Sequence, residues 1–172
     1  MVRISSLVSL LAFLANHGCS ILPRAVPYVP DLFDSGPVKS VGYLWSGHPC
    51  TKGKIESAIL QRLIDLAQKP LVDACGYHEC NLGICFLRPA SGQPVFKYRG
   101  RTLYLGSSEI FIPDDSAVYC APNLILHYIR DHHYLPPAAF CAAALNCPDP
   151  DSQEYRERIK RIAPRFANLF GW

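Results

Sequence analysis

The sequence has no run of about 20 consecutive apolar residues, the length that a helix needs to cross a bilayer. It also carries little net charge, because 17 Lys and Arg against 14 Asp and Glu give only +3. That field is too weak to indicate nucleic-acid binding by itself. We therefore predict no integral membrane span and no nucleic-acid partner.

Motifs that would identify a reaction are missing too. The chain has no metalloprotease HExxH, no deaminase-type metal motif, no nucleophile elbow and no phosphate-binding loop. It does have enough apolar material for a core, with 49% hydrophobic and 18% charged residues in a chain of 172. This length suits one ordinary domain with short appendages.

The first 25 residues differ from the rest. An apolar run from Ile4 to Ala15 follows Arg3, as in a signal peptide, and Cys19 follows as in a lipoprotein. The residues just before Cys19 fit neither type of cleavage site well. Alternatively, the segment is not translated and Val26 is the start, because a valine codon can serve as a bacterial start. We predict a signal-like or untranslated segment over residues 1–25, a single domain over 26–147, and a linker with a C-terminal amphipathic helix over 148–172.

The cysteines bear on the compartment. The chain has eight, and seven remain if Cys19 is lipidated or lies outside the real protein. An odd number cannot all pair internally, which favours reduced thiols or metal ligands. We predict a cytoplasmic protein, with export or lipid anchoring through Cys19 as the alternative.

Hydrophobic periodicity predicts an α+β fold in which a small antiparallel β-meander packs against three to four helices. The expected strands are Val41–Trp45, a hairpin of Val95–Tyr98 with Thr102–Leu105, and a second of Glu109–Ile112 with Ala117–Cys120. The expected helices are Lys54–Gln68, one that begins at Pro122, Ala138–Leu145, and a C-terminal helix that Pro164 kinks or ends. We expect the apolar stripe of the C-terminal helix to dock on the core; binding a partner or a membrane surface is the alternative.

One segment has chemical content. Between Cys75 and Cys85 the chain places three thiols and one imidazole within eleven residues, with glycines that let the backbone wrap around an ion. Thiolate sulfur and imidazole nitrogen are the ligands that zinc prefers. We predict that His78, Cys80 and Cys85 bind zinc, with buried structural Cys and His as the simpler alternative.

A fourth ligand has to come from elsewhere, and we favour His127. It lies four residues before Asp131, whose carboxylate could accept the other ring proton and orient the imidazole. His132 is five residues from His127, about 140° around a regular helix, so the two would not converge on one ion without a break. Other candidates for the fourth position are Cys75, Cys120, His133 and His48. Four protein ligands would make the zinc structural rather than catalytic.

The same residues carry a family resemblance over about Val26 to Leu145. The chain is similar to a family of small bacterial domains of unknown function, with the pattern G-[aromatic]-H-x-C-x-x-C, then L-G-x-x-E-I, Y-x-A-P-x-L-I-x-H-Y-I and H-x-Y-x-P-P. These blocks correspond here to Gly76–Cys80, Leu105–Ile110, Tyr119–Ile129 and His132–Pro137. The second thiol is displaced to Cys85, which departs from C-x-x-C. The resemblance favours His78, Cys80, Cys85 and His127 over Cys75 and favours Val26 as the start, but it implies no activity.

Two classes of function follow. The first is a metal-stabilised binding module, with an unknown protein as its partner. The alternative is a zinc-dependent hydrolase, in which the fourth metal position holds water and Glu109 or Glu79 acts as general base. His127 or His132 would then stabilise the developing charge.

Overall fold

The structure is a computed structural model that describes residues 33–34, 36–73, 77–82, 85 and 93–172. The predictions for residues 1–25, including Cys19, lie outside the described residues. The strands are β1 Phe33–Asp34, β2 Val38–Ser40, β3 Val72–Asp73, β4 Val95–Tyr98, β5 Arg101–Tyr104, β6 Ser108–Pro113 and β7 Val118–Pro122. The helices are α1 Ser57–Ala67, α2 Ile125–His132, α3 Ala138–Asn146, α4 Gln153–Ile162 and α5 Pro164–Ala167, followed by a 3-10 helix at Asn168–Phe170.

The strands form two sheets, and the predicted α+β class is confirmed. The larger sheet has the order β1-β2-β7-β6-β3, in which β2 runs parallel to β7 and the other neighbours are antiparallel. The hairpin of β4 and β5 is a separate two-stranded sheet. Both predicted hairpins are therefore present, but they do not join into one meander. Gly106 lies between them with a φ of +89°, which interrupts the extended chain before β6 begins.

The β4–β5 hairpin has a loop of two residues. Tyr98 pairs with Arg101, so only Arg99 and Gly100 form the loop. Both have positive φ, 45° and 80°, as a type I′ turn requires. The residues that predict this hairpin are neighbours in the sequence, and the structure confirms the hairpin.

The prediction of a strand at Val41–Trp45 is wrong, because the strand ends at Ser40. Val41 still donates its N–H to the carbonyl of Cys120 at 2.9 Å, but Gly42 then adopts a φ of +76°. A Cβ on Gly42 would lie 2.7 Å from Cδ1 of Ile125. The side chain of Ile125, at the start of α2, therefore occupies the space that a longer strand would need.

The prediction that Pro122 opens a helix is also wrong. Pro122 is the last residue of β7, paired with Glu109, and α2 begins three residues later at Ile125. Proline is tolerated at a ladder position that needs no N–H donor as well as at the first turn of a helix. The residue type alone did not distinguish the two places.

The core lies between the larger sheet and the helices. The apolar stripe of α1 is buried as its spacing predicts, through Ile59, Leu63 and Leu66. The C-terminal helix docks on the core as expected, because Tyr155 of α4 is buried and its hydroxyl donates to the carbonyl of Phe111 at 2.8 Å. Pro164 separates α4 from α5, as predicted. Among the described residues, no helix combines the length and apolar character that crossing a membrane demands.

Candidate metal centre

Four side chains from two parts of the chain bring their ligand atoms together. The sulfurs come from the segment after β3, and the nitrogens come from α2. Every pair of these ligand atoms lies within 4.8 Å. The four residues are Cys80, Cys85, His127 and His132.

The shortest distances between the ligand atoms lie at or just below the edges of a zinc tetrahedron. Sγ of Cys80 lies 3.3 Å from Nε2 of His132, and Sγ of Cys85 lies 3.2 Å from Nε2 of His127. The two Nε2 atoms are 3.1 Å apart. Zinc bond lengths of about 2.3 Å to sulfur and about 2.0 Å to nitrogen give edges of roughly 3.3–3.8 Å in a tetrahedron. The set is therefore close to the size that a zinc ion needs.

His127 is oriented by Asp131, as its spacing predicts. Nδ1 of His127 lies 2.6 Å from Oδ2 of Asp131, one helical turn away. Arg130 in turn binds both carboxylate oxygens of Asp131 at 2.8 Å, and its guanidinium lies 4.2 Å from the ring centroid of Phe96. Because a carboxylate only accepts hydrogen bonds, Nδ1 carries the ring proton. Such carboxylate–histidine pairs are typical of metal ligands.

This arrangement leaves Nε2 of His127 as a bare lone pair. Burial lowers the pKa of His127 even though Asp131 opposes the shift, so the neutral ring is favoured. One lone pair on a ring nitrogen accepts one linear hydrogen bond. Two atoms nevertheless approach it at hydrogen-bond distance, Sγ of Cys85 and Nε2 of His132. The same arrangement of atoms could hold a cation at its centre.

His132 joins the cluster because α2 does not end as a regular α-helix. The N–H of His133 bonds to the carbonyl of Tyr128, five residues back instead of four, and the N–H of Tyr134 bonds to the same oxygen. This wider last turn supplies the break that brings residues five apart to the same side. His133 then takes a left-handed φ of 56°.

A short strand-like pairing holds the end of α2 in place. Gly53 donates to the carbonyl of His133 at 2.9 Å, and Leu135 donates to the carbonyl of Thr51 at 2.9 Å. Between them, Nζ of Lys52 donates to the carbonyl of His132 at 2.7 Å. The segment before α1 therefore fixes the backbone of His132.

The thiol-bearing segment, which carries Cys80 and Cys85, packs closely against Gly106. The N–H of His78 donates to the carbonyl of Gly106 at 2.9 Å. A Cβ on Gly106 would lie only 2.3 Å from the carbonyl oxygen of His78. Only glycine allows this close approach of the two backbones, which fixes the chain two residues before Cys80.

Burial favours the protonated thiol of Cys80 and the neutral imidazoles of His127 and His132. Burial raises the pKa of the Cys80 thiol to about 12. Burial lowers the pKa of His132, and the nearby His127 and Lys52 lower it further. Neutral imidazoles are ready to bind a cation, whereas the Cys80 thiol has to lose its proton to solvent before its sulfur binds one.

Three of the four predicted ligands are brought together, namely Cys80, Cys85 and His127. The fourth member of the cluster is His132, and His78 lies outside it. Cys75 lies outside the described residues. One sequence feature could have indicated His132 as a ligand. The His132–His133 pair lies at a helix end that has no glycine, and a helix need not keep about 3.6 residues per turn in its last turn.

Glu109, the predicted general base of the hydrolase alternative, is also outside the four-residue cluster. One of its oxygens accepts from the hydroxyl of Tyr43 at 2.6 Å and lies 3.8 Å from Sγ of Cys120. Burial raises the pKa of Glu109 to about 7, and the hydrogen bonds from Tyr43 and Cys120 oppose this shift. That pKa suits a general base, and the hydrolase role stays a prediction.

Fold and site together define an α+β protein with a candidate Cys2His2 metal centre. The family model described as "Domain of unknown function (DUF7919)" matches residues 22–145, and the chain belongs to this family. The family match includes all four residues of the cluster. Comparisons with curated proteins and with solved structures gave no match.

Proposed function

We propose that this protein is a small binding module stabilised by a structural zinc ion, which is held by Cys80, Cys85, His127 and His132. The observation that carries the proposal is the convergence of a sulfur and a second imidazole on Nε2 of His127, whose other nitrogen is held by Asp131.

Zinc is the proposed metal because two thiolates and two imidazoles in a tetrahedral arrangement are its typical set. All four positions are supplied by the protein, so the shell is closed. A closed shell favours a structural role over activation of a bound water.

The zinc would link distant parts of the chain. Cys85 and His127 are 42 residues apart, and Cys80 and His132 are 52 apart. Closing loops of this length costs conformational entropy, which metal binding offsets. The ion would therefore hold the thiol-bearing segment against α2 and add folding free energy to a modest core.

A protein is the proposed partner. Among the described residues, three large aromatic side chains are exposed, with relative accessibilities of 39% for Trp45, 42% for Tyr77 and 63% for Tyr104. Tyrosine and tryptophan are enriched at protein interfaces.

We place the protein in the cytoplasm, since thiolate ligands need a reducing compartment and the six cysteines of the described residues are free. Fractionation of native cells tests this location.

Single variants purified under reducing conditions test the ligand set by elemental analysis and by competition with a chromophoric chelator. Cys80→Ser, Cys85→Ser, His127→Ala and His132→Ala should each lower zinc affinity by at least about 100-fold, because each removes a direct ligand. His78→Ala is the matched test of the prediction for His78, and it should retain the zinc.

Cys50→Ser is the control for loss of a thiol, since Cys50 is half-buried and outside the cluster. Wild-type zinc affinity in this variant is expected. Loss of zinc from His78→Ala with full retention in His132→Ala would contradict the assignment of the fourth ligand. Retention of zinc in both cysteine variants would contradict the centre itself.

A further inference from the structure

A cleft opens next to the candidate metal centre. Its volume is about 390 Å³, which is within the range of small-molecule sites. One wall comes from the turn after β2, and the other comes from the segment of Cys80 and the end of α2. The lining residues that matter are Trp45, His48, Pro49, Lys52, Leu82 and His132.

The two walls are joined to each other. The N–H of Ser46 donates to Oδ1 of Asn81 at 3.3 Å, which ties the turn to the residue after Cys80. The turn itself is closed by the N–H of His48, which donates to the carbonyl of Trp45 at 3.2 Å. A metal that fixes Cys80 and His132 would therefore fix both walls of the cleft.

The polar end of the cleft is positive. Lys52 places its ammonium group on the carbonyl of His132 at 2.7 Å. An ammonium group has three donors, and in the part of the chain that the structure describes one of them is taken by this carbonyl, which leaves two for a ligand. Among the described residues that line the cleft, none has a carboxylate side chain. A centre of two thiolates, two imidazoles and Zn²⁺ has no net charge, so the positive charge of Lys52 would remain uncompensated within the cleft.

The rest of the cleft is apolar. Trp45 lines the cleft and is 39% exposed overall, and Pro49 and Leu82 extend the same lining. A flat indole beside a cation suits a ligand with a planar or apolar body and one negative end. An inorganic anion would leave the apolar part of the lining unused.

We propose that this cleft binds a carboxylate attached to a planar or apolar group, with Lys52 contacting the carboxylate and Trp45 contacting the body. The carboxylate belongs either to a free small acid or to the C-terminus of a peptide with an apolar last residue. The proposal rests on the proposed metal centre, because His132 and the segment of Cys80 form one wall.

Nuclear magnetic resonance titration of zinc-loaded protein tests the proposal. The chain has two tryptophans, so a Trp45→Phe variant identifies which indole N–H signal belongs to Trp45. The probes are benzoate and a tripeptide that ends in phenylalanine, each compared with its uncharged amide. Ionic strength is held constant with chloride, because exposed charges are screened by salt.

At least one of the two acids should shift the Trp45 signal in a saturable way, and its amide should bind at least about 10-fold more weakly. Lys52→Met should remove this preference for the acid. Lys54→Met, which removes an exposed charge outside the cleft, should retain it. Saturation by benzoate alone identifies a free acid as the ligand, and saturation by the tripeptide alone identifies a chain terminus.

Equal binding of acid and amide, or an unchanged preference in Lys52→Met, would overturn the proposal, as would no saturable shift with either acid. Zinc content is measured on the same samples before each titration. Samples that hold one zinc per chain and bind neither acid would end this inference and leave the metal centre intact. Samples that take up no zinc would end the metal centre first.

Discussion

Asp131 decides which nitrogen of His127 faces the cluster. Replacing it with alanine leaves all four ligands in place but frees the ring to take the wrong tautomer. We expect Asp131→Ala to lower zinc affinity by about 10- to 100-fold, the range typical of residues that orient metal ligands. Competition with a chromophoric chelator measures this. Asp115→Ala, which removes an exposed carboxylate elsewhere, should bind zinc like the wild type, and an unchanged affinity in Asp131→Ala would contradict the orienting role.

Glu109 makes stability depend on pH. Burial raises its pKa to about 7 in the folded protein, whereas an unfolded glutamate titrates near about 4.3. Between these values the folded state holds more protons than the unfolded state, so stability falls as pH rises through this window and stays lower above it. Glu109→Gln should remove this contribution, which is of the order of 3–4 kcal/mol over the whole window, about 2–3 kcal/mol of it between pH 5 and pH 8.

Urea unfolding at pH 5 and pH 8 tests this prediction. The drop in unfolding free energy between the two values should be smaller in Glu109→Gln than in the wild type. Glu157→Gln, a change on the exposed face of α4, should leave the drop unchanged. A drop of the same size in all three proteins would show that Glu109 does not titrate in this window.

At this scale, sequence reasoning succeeded where a contact is local. The pairing of His127 with Asp131 follows from their spacing of four on a helix, and it is present at 2.6 Å. His132 could not be predicted in the same way, because its position depends on a wide last turn that the segment around Lys52 holds in place. That segment lies 80 residues away in the chain.

Between β5 and β6, Gly106 connects the sheet to the thiol-bearing segment. A side chain there would meet the carbonyl oxygen of His78 at 2.3 Å, so Gly106→Ala has to displace the backbone ahead of Cys80. We expect Gly106→Ala to lower zinc affinity at least about 10-fold, because small displacements of ligands weaken metal sites.

Gly100→Ala is the matched control for this change. Gly100 also has a left-handed φ, +80° against +89° for Gly106, but a Cβ on Gly100 would have no atom within 4 Å. Gly100→Ala should therefore lose stability through backbone strain and keep its zinc affinity. Equal zinc affinity in the two variants would contradict the claim that the close packing of the thiol-bearing segment against Gly106 positions the metal ligands.

The elements themselves were predictable where their signals are local. The α1 stripe and the Arg99–Gly100 turn fix a helix and a hairpin without help from distant residues. The strand predicted at Val41–Trp45 failed because Ile125, from another element, packs against Gly42. The sheet order could not be derived from the hairpins, because β2 pairs in parallel with β7, 80 residues further along the chain.

Across the whole molecule, the candidate centre connects two regions that the sheet does not connect directly. Cys80 and Cys85 lie outside the described helices and strands, while both histidines lie on α2, which is largely buried. A metal between them would act on global stability, as a structural zinc does. A catalytic metal would instead leave the fold largely stable when removed.

The thermal melt of native protein before and after removal of its metal by a chelator tests this claim most directly. We expect stoichiometric zinc before treatment, a melting temperature lower by at least about 10 °C after it, and recovery with added zinc but not magnesium. An identical melt for the zinc-containing and the stripped protein would contradict a stabilising metal centre.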